Sequence, residues 1–296
     1  MMLFKLFMFK KSLFFIPFIV FFISWGCSRD SLASSKPIVL VPILPYAYFT
    51  REIAGDLLKV ETLIPPGINA HVYEPTPKAI QGMREARICF CCGIAFENKL
   101  SPFLKRSGVK VVSLLEGISC LTERGEEQGA CQEEEKDIHT WLNPLLALEQ
   151  VRIIFENLVR LFPQHQELFT KRYEELKQRL LLLDLEIEKE LTSVRGSYVL
   201  ISHPALAYYC ARYGVHQIAV EHEGKEPRMQ QVARTVQKAM KHQVKIVLTE
   251  PQHHNKGAEV IAHKLGLPIY EIDPYAEDYF ALLSQVTRLM REHHVH

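Results

Sequence analysis

The chain of 296 residues has one long apolar run only, Ser12–Trp25 near the N-terminus. A bundle of membrane-crossing helices is therefore not expected, because each would need about 20 apolar residues in succession. Excess positive charge is also missing. Lys and Arg number 35 against 34 Asp and Glu, and without residues 1–26 and their three lysines (Lys5, Lys10, Lys11) 32 bases face 34 acids, a net charge of −2. That balance speaks against a nucleic-acid binder, which needs a basic face. Low-complexity tracts and internal repeats are lacking, and 48% hydrophobic with 23% charged residues excludes a disordered chain. There is no His-Glu-x-x-His helix and no Gly-x-Ser-x-Gly elbow, so two common hydrolase signatures are missing.

What is present begins at the N-terminus. Residues 1–11 form a positive segment, Ser12–Ile23 an apolar one, and Ile23-Ser24-Trp25-Gly26-Cys27 resembles a lipoprotein signal box. Residues 1–26 are expected to be a signal peptide and Cys27 the lipidated residue, which would tether an exported protein to a membrane. An uncleaved N-terminal anchor is the alternative. Export permits a disulfide, and Cys120 and Cys131, which bracket an acidic loop, are the candidate pair. Cys89, Cys91 and Cys92 fall in the strand-like run Arg87–Cys92 and read as small apolar side chains, so no thiolate metal cluster is expected.

The remaining 270 residues exceed one ordinary core and point to two domains. Strand-like and helix-like stretches alternate through two blocks. The first holds the strands Ile38–Leu44, Val60–Ile64, Arg87–Cys92 and Val109–Ser113, with helices over Ala47–Leu58, Thr76–Glu85 and Phe96–Arg106. The second holds the strands Tyr198–Ile201, Val215–Val220, Lys245–Thr249 and Leu267–Ile272, with helices over Pro204–Arg212, Arg228–His242 and Lys256–Leu265. Such alternation implies βαβ units and a mainly parallel sheet in each block. Between them an unbroken helix is predicted from Pro163 to Thr192, with Phe169, Tyr173, Leu176, Leu180, Leu183, Ile187 and Leu191 forming one apolar stripe. The expected organisation is an N-terminal α/β lobe over 27–162, a linking helix over 163–193 and a C-terminal α/β lobe over 194–296. The loop Glu116–Asp137 carries eight acids and two bases and reads as a solvated surface loop.

Four residues stand at strand ends or loop breaks. They are His71 after Pro65-Pro66-Gly67, His139 in Asp137-Ile138-His139, His203 directly after the strand Tyr198–Ile201, and Asp273 directly after the strand Leu267–Ile272. Ligands of open α/β sheets bind beyond the carboxyl ends of strands. Two of these groups come from each block, so they can meet in a cleft between lobes. Three neutral imidazoles and one carboxylate make a sound shell for a divalent transition metal. Glu250 ends a further strand and is a candidate to orient a ligating imidazole. His253 and His254 lie just beyond it as competitors, whereas Glu221-His222-Glu223 is expected in solvent.

The segments Pro66-Gly67-x-x-x-His71-x-Tyr73-Glu74-Pro75-Thr76-Pro77, Asp137-x-His139-x-Trp141-Leu142-x-Pro144, His203-Pro204-Ala205-x-x-Tyr208, Tyr213-Gly214, Glu250-Pro251-Gln252 and Asp273-Pro274 occur in this order. Together they resemble the metal-binding solute-binding lipoproteins of ABC transporters, the cluster A-I (cluster 9) family that takes up zinc, manganese or iron. The resemblance covers nearly all of the chain after the signal segment. It implies two Rossmann-like lobes with mainly parallel sheets joined by one long rigid helix, and a metal held by His71, His139, His203 and Asp273. It further implies a membrane permease with its ATPase as partners, a periplasmic or outer-face location, and a monomer. Departures are Asn69-Ala70 where the family has an acid and a proline, and Ile138 where it has a proline. Zinc-specific members often carry a His-rich loop, and here the corresponding loop is acidic, which leaves manganese and iron beside zinc. A metal-dependent hydrolase and a surface adhesin on the same fold are the alternative functions.

Overall fold

A computed structural model describes residues 36–119, 121, 137–221 and 227–294. The signal segment, Cys27, Cys120, Cys131 and most of the acidic loop lie outside the described residues. Among those described, no helix is long and apolar enough to cross a membrane.

The first lobe is built on β1 (Ile38–Val41), β2 (Lys59–Thr62), β3 (Ala86–Cys91) and β4 (Lys110–Ser113), with α1 (Leu44–Ala54), α2 (Pro77–Gly82) and α3 (Ala95–Arg106) between them. The strands are all parallel, in the order β2-β1-β3-β4. The second lobe is built on β5 (Tyr198–Ile201), β6 (His216–Ala219), β7 (Val247–Thr249) and β8 (Ile269–Glu271), with α6 (Ala207–Tyr213), α7 (Met229–Lys241) and α8 (Lys256–Leu265). It repeats the same arrangement, β6-β5-β7-β8, again all parallel. Central strands of such sheets are covered on both faces and so read as continuous apolar runs. Val39 to Val41 and Val199 to Ile201 are buried without alternation, as that requires. Cys89, Cys91 and Cys92 are buried and free, as small apolar residues of β3 and its end.

The long helix α5 spans Gln166–Leu191, preceded by a 3-10 turn over Pro163–His165. At 1.5 Å per residue it is about 39 Å long. All seven residues of the predicted stripe are buried on it, and they pack against α4 (Pro144–Leu161), α1 and the C-terminal helix α9 (Tyr279–His294). Phe155 of α4 stacks on Tyr173 at 4.4 Å. Asp184, buried on α5, accepts from Arg212 Nε and Nη2 at 3.0 and 2.7 Å and from the Tyr213 hydroxyl at 2.9 Å, which fastens α6 to this helix.

Helices α4 and α9 fall outside the predicted set. Start signals for α4 exist: Asn143 caps it, accepting from Leu145 N at 3.0 Å, and Pro144 takes the first helical position. The start of α9 packs on the first lobe. Tyr279 meets Phe49 edge-on at 4.8 Å and donates its hydroxyl proton to the Trp141 carbonyl at 2.7 Å. Trp141 in turn donates from Nε1 to the Pro274 carbonyl at 2.9 Å, and Arg51 pairs with Glu277. One buried apolar cluster therefore runs from Val39 of β1 to Met290 of α9, and a smaller one lies beneath α7 and α8. The lobes share a core and are tied along α5 and at the start of α9.

Candidate metal centre

The candidate side chains stand on loops beyond the strands in the first lobe and close to strand ends in the second. In the first lobe, β1–β2 pairing continues past the strands, with Leu63 N donating to Val41 O at 2.8 Å and Ile64 N to Pro42 O at 3.1 Å. Pro65 and Pro66 stop it, and Gly67 turns the chain at φ +78°. The chain then reaches Asn69, whose Oδ1 accepts from His71 N at 2.8 Å, a local turn that Asx side chains favour. His139 follows the acidic loop beyond β4. Asp137 fixes it twice, accepting from its backbone N at 2.8 Å and lying 2.7 Å from its Nδ1. In the second lobe, Ser202-His203-Pro204 continues β5.

Three of the four expected ligands come together. Donor atoms of His71, His139 and His203 all lie within 4.8 Å of one another. Ring centroids are 4.8 Å apart for His71 and His203, 5.1 Å for His139 and His203, and 5.6 Å for His71 and His139. His139 and His203 are buried, and the Nε2 atom of each has no hydrogen-bond partner among the described residues. His71 sits exposed at the mouth. Trp141 walls the floor at 5.2 Å from the His139 ring. Tyr208, also buried, donates to the Asp137 carbonyl at 3.2 Å.

Asp273 is not in this group. Its Oδ1 accepts from Gln252 Nε2 at 2.7 Å and from Tyr275 N at 2.9 Å. Strand order explains the separation. His203 follows β5 and Asp273 follows β8, with β7 between them, and each step across a sheet is about 4.8 Å. Glu250 follows β7, is fully buried, and has no hydrogen-bond partner for either oxygen among the described residues. Its Oε2 lies 3.8 Å from His253 Nε2, too far for a hydrogen bond.

The expectation that Glu221 faces solvent is corrected. Its side chain is only 12% exposed, and its Oε2 lies 3.1 Å from His203 Nδ1 and 3.0 Å from His253 Nδ1. The reason is again the sheet. β6 is the neighbour of β5, and their pairing extends beyond both strands through Glu221 N to Ser202 O at 2.8 Å. His253 is inside as well, its side chain 1% exposed and its ring stacked on that of His203 at 3.9 Å. His203, Glu221 and His253 form a second set of donors within 4.8 Å of one another. The sequence signal for Glu221 was available: like His203 and Asp273, it directly follows a predicted strand.

Burial controls the charge of the centre. It pushes His139 down to about 3, with the neighbouring His253 adding to the effect. It pushes His203 down to about 4 against the pull of the Glu221 carboxylate. His71 is lowered in the same direction, by desolvation and then by the other imidazoles. Burial also acts to raise Glu221, but its bonds to His203 and His253 prevail and hold it at about 2. Asp137 is lifted to about 8 by burial, and Glu250 is raised by burial and by the carboxylates of Glu221, Asp273 and Asp137. The imidazoles are thus neutral near pH 7, the state in which they can coordinate.

Two parallel α/β lobes facing each other across unprotonated, unpartnered ring nitrogens define a class: a binding protein that takes a soft or borderline cation between its lobes. The comparisons with known proteins agree. Residues 39–293 match the family described as zinc-uptake complex component A, periplasmic. The high-affinity zinc uptake system protein ZnuA of Bacillus subtilis is 27% identical over 278 residues, covering 88% of this chain and 87% of that protein. A Chlamydia trachomatis protein named for metal binding is 30% identical over 267 residues, covering 88% of this chain and 93% of that one. A crystal structure of ZnuA superposes with a TM-score of 0.80 at 28% identity, covering 87% of this chain and 99% of that chain. The chain belongs to the family of zinc-uptake complex component A. Its members are solute-binding proteins of ABC transporters that capture a divalent metal outside the cytoplasm for a permease, and they are not enzymes.

Proposed function

We propose that the cleft captures a divalent transition metal through His71, His139 and His203, with Zn2+ as the first choice and Mn2+ or Fe2+ as the others. The observation that carries this reading is the pair of buried Nε2 atoms, on His139 and His203, that have no hydrogen-bond partner among the described residues. A buried polar atom without a partner costs about 1–3 kcal/mol, and a cation removes that cost. An all-nitrogen core suits zinc best, and the order of intrinsic affinities places Zn2+ above Fe2+ and Mn2+. Asp273 can join this shell through either carboxylate oxygen, Oδ1 being the one that already accepts from Gln252 and the Tyr275 amide. Glu250 keeps a supporting place behind the ligands. The membrane partners are a permease with its ATPase, the chain works as a monomer, and Cys27 carries the lipid that holds it at the outer face of the membrane after residues 1–26 are removed.

The test is His203→Ala with zinc affinity read by competition against a chromophoric chelator. A sharp loss is expected. A variant that holds zinc as tightly as the parent sinks the assignment. Elemental analysis of protein purified from its own host then ranks zinc, manganese and iron.

A further inference from the structure

We infer that His253 supplies a fourth nitrogen donor to the captured cation and that Glu221 is the positioning carboxylate that holds His203 and His253 ready for it. The inference rests on the capture reading above and adds to it the identity of the fourth donor.

A single oxygen, Glu221 Oε2, lies 3.1 Å from His203 Nδ1 and 3.0 Å from His253 Nδ1. A carboxylate oxygen can only accept here, so both imidazoles carry a proton on Nδ1, and in its neutral form each leaves Nε2 bare. Ligating histidines in metal sites are held in this way, by a carboxylate on the nitrogen that faces away from the metal. Asp137 Oδ1 stands in the corresponding place behind His139, at 2.7 Å from its Nδ1. The three rings are therefore set alike, and all three Nε2 atoms are buried without a hydrogen-bond partner among the described residues. His253 is the one of the three that neither the motif nor the capture reading requires.

Its position fits a ligand. The His253 ring lies parallel to that of His203, 3.9 Å away with 18° between planes, and 6.1 Å from the His71 ring. The Asn69 side-chain amide of the first lobe comes within 3.5 Å of the same ring. His253 therefore touches elements of both lobes at the seam. Glu250 Oε2 lies 3.8 Å from His253 Nε2, beyond hydrogen-bond reach. Two stacked imidazoles with bare lone pairs repel each other at their nitrogens, and a shared cation turns that repulsion into coordination. Asp273 Oδ1 already accepts from Gln252 and from the Tyr275 amide, whereas His253 Nε2 has no hydrogen-bond partner among the described residues.

The experiment is X-ray absorption at the zinc edge of the full chain loaded with one equivalent of Zn2+, together with chelator competition, for the parent, His253→Gln, Glu221→Gln, Asp273→Ala and His203→Ala. The parent should show four imidazoles around zinc and His253→Gln three, with affinity reduced. Glu221→Gln should lose roughly 10–100-fold in affinity while keeping the four-imidazole signature, and Asp273→Ala should change little. A parent spectrum of three imidazoles plus a carboxylate, with Asp273→Ala losing affinity and His253→Gln binding as the parent does, overturns the inference and leaves the capture reading intact. Undiminished binding by His203→Ala overturns the capture reading itself. Far-ultraviolet circular dichroism of each metal-free variant separates loss of a donor from loss of fold.

Discussion

Loading zinc at pH 7 should expel about one proton from the Asp137–His139 pair, and Asp137→Asn should abolish that share of the release. At pH 7 the rings of His139 and His203, held near 3 and 4, have no proton to lose from a cationic form, and Glu221, held near 2, is already ionised. Asp137 differs, because burial lifts it to about 8. The empty Asp137–His139 pair therefore carries one proton more than the loaded pair, in which a carboxylate must accept Nδ1–H while Nε2 binds metal. Ionising Asp137 one unit below its pKa costs about 1.4 kcal/mol. The sign follows directly: the loaded form holds fewer protons, so raising pH favours it until the free form has shed its own. Affinity should climb close to tenfold between pH 6 and 7, climb less between 7 and 8, and level off above. Asparagine keeps an oxygen for the His139 backbone N–H and for Nδ1–H but has nothing to ionise. Calorimetry in buffers of different ionisation enthalpy counts the protons directly. A parent whose affinity is flat from pH 6 to 8, or an Asp137→Asn variant that releases as many protons as the parent, refutes the reasoning.

Leu180 is fully buried at the middle of the α5 stripe, and Leu180→Ala should cost about 2–5 kcal/mol of stability. Denaturant titration followed by fluorescence and by circular dichroism should show one coincident transition, because the main core spans both lobes. Separate transitions for the two probes would contradict a shared core. Lobe motion on metal uptake should be a small rocking, because α5 and the Trp141–Pro274 and Tyr279–Trp141 bonds tie the lobes. Scattering curves of metal-free and zinc-loaded protein should nearly superimpose, and a large domain closure would contradict this. Asp184→Ala should destabilise the protein through α6, since Arg212 and Tyr213 both lose their acceptor. Equal melting temperatures of variant and parent would show that the bonds contribute nothing.

The chain read in order already contained most of this molecule. Apolar β-branched runs separated by amphipathic stretches give parallel βαβ units, because such a strand must be covered on both faces and its return connection is a helix. The seven-residue stripe from Phe169 to Leu191 gave the spine, since a period near 3.6 is a local property of sequence. His71, His139 and His203 were legible because each stands beside a proline, an aspartate or a strand end. Lateral order was not legible. Nothing local says that β6 lies beside β5 while β8 lies beyond β7, since that choice is made by how the crossover helices pack. Yet it brings Glu221 onto His203, stacks His253 against it, and sets Asp273 on the far side of Glu250. Sequence fixes which side chains end each strand, and only the packed sheet decides which of those ends are neighbours.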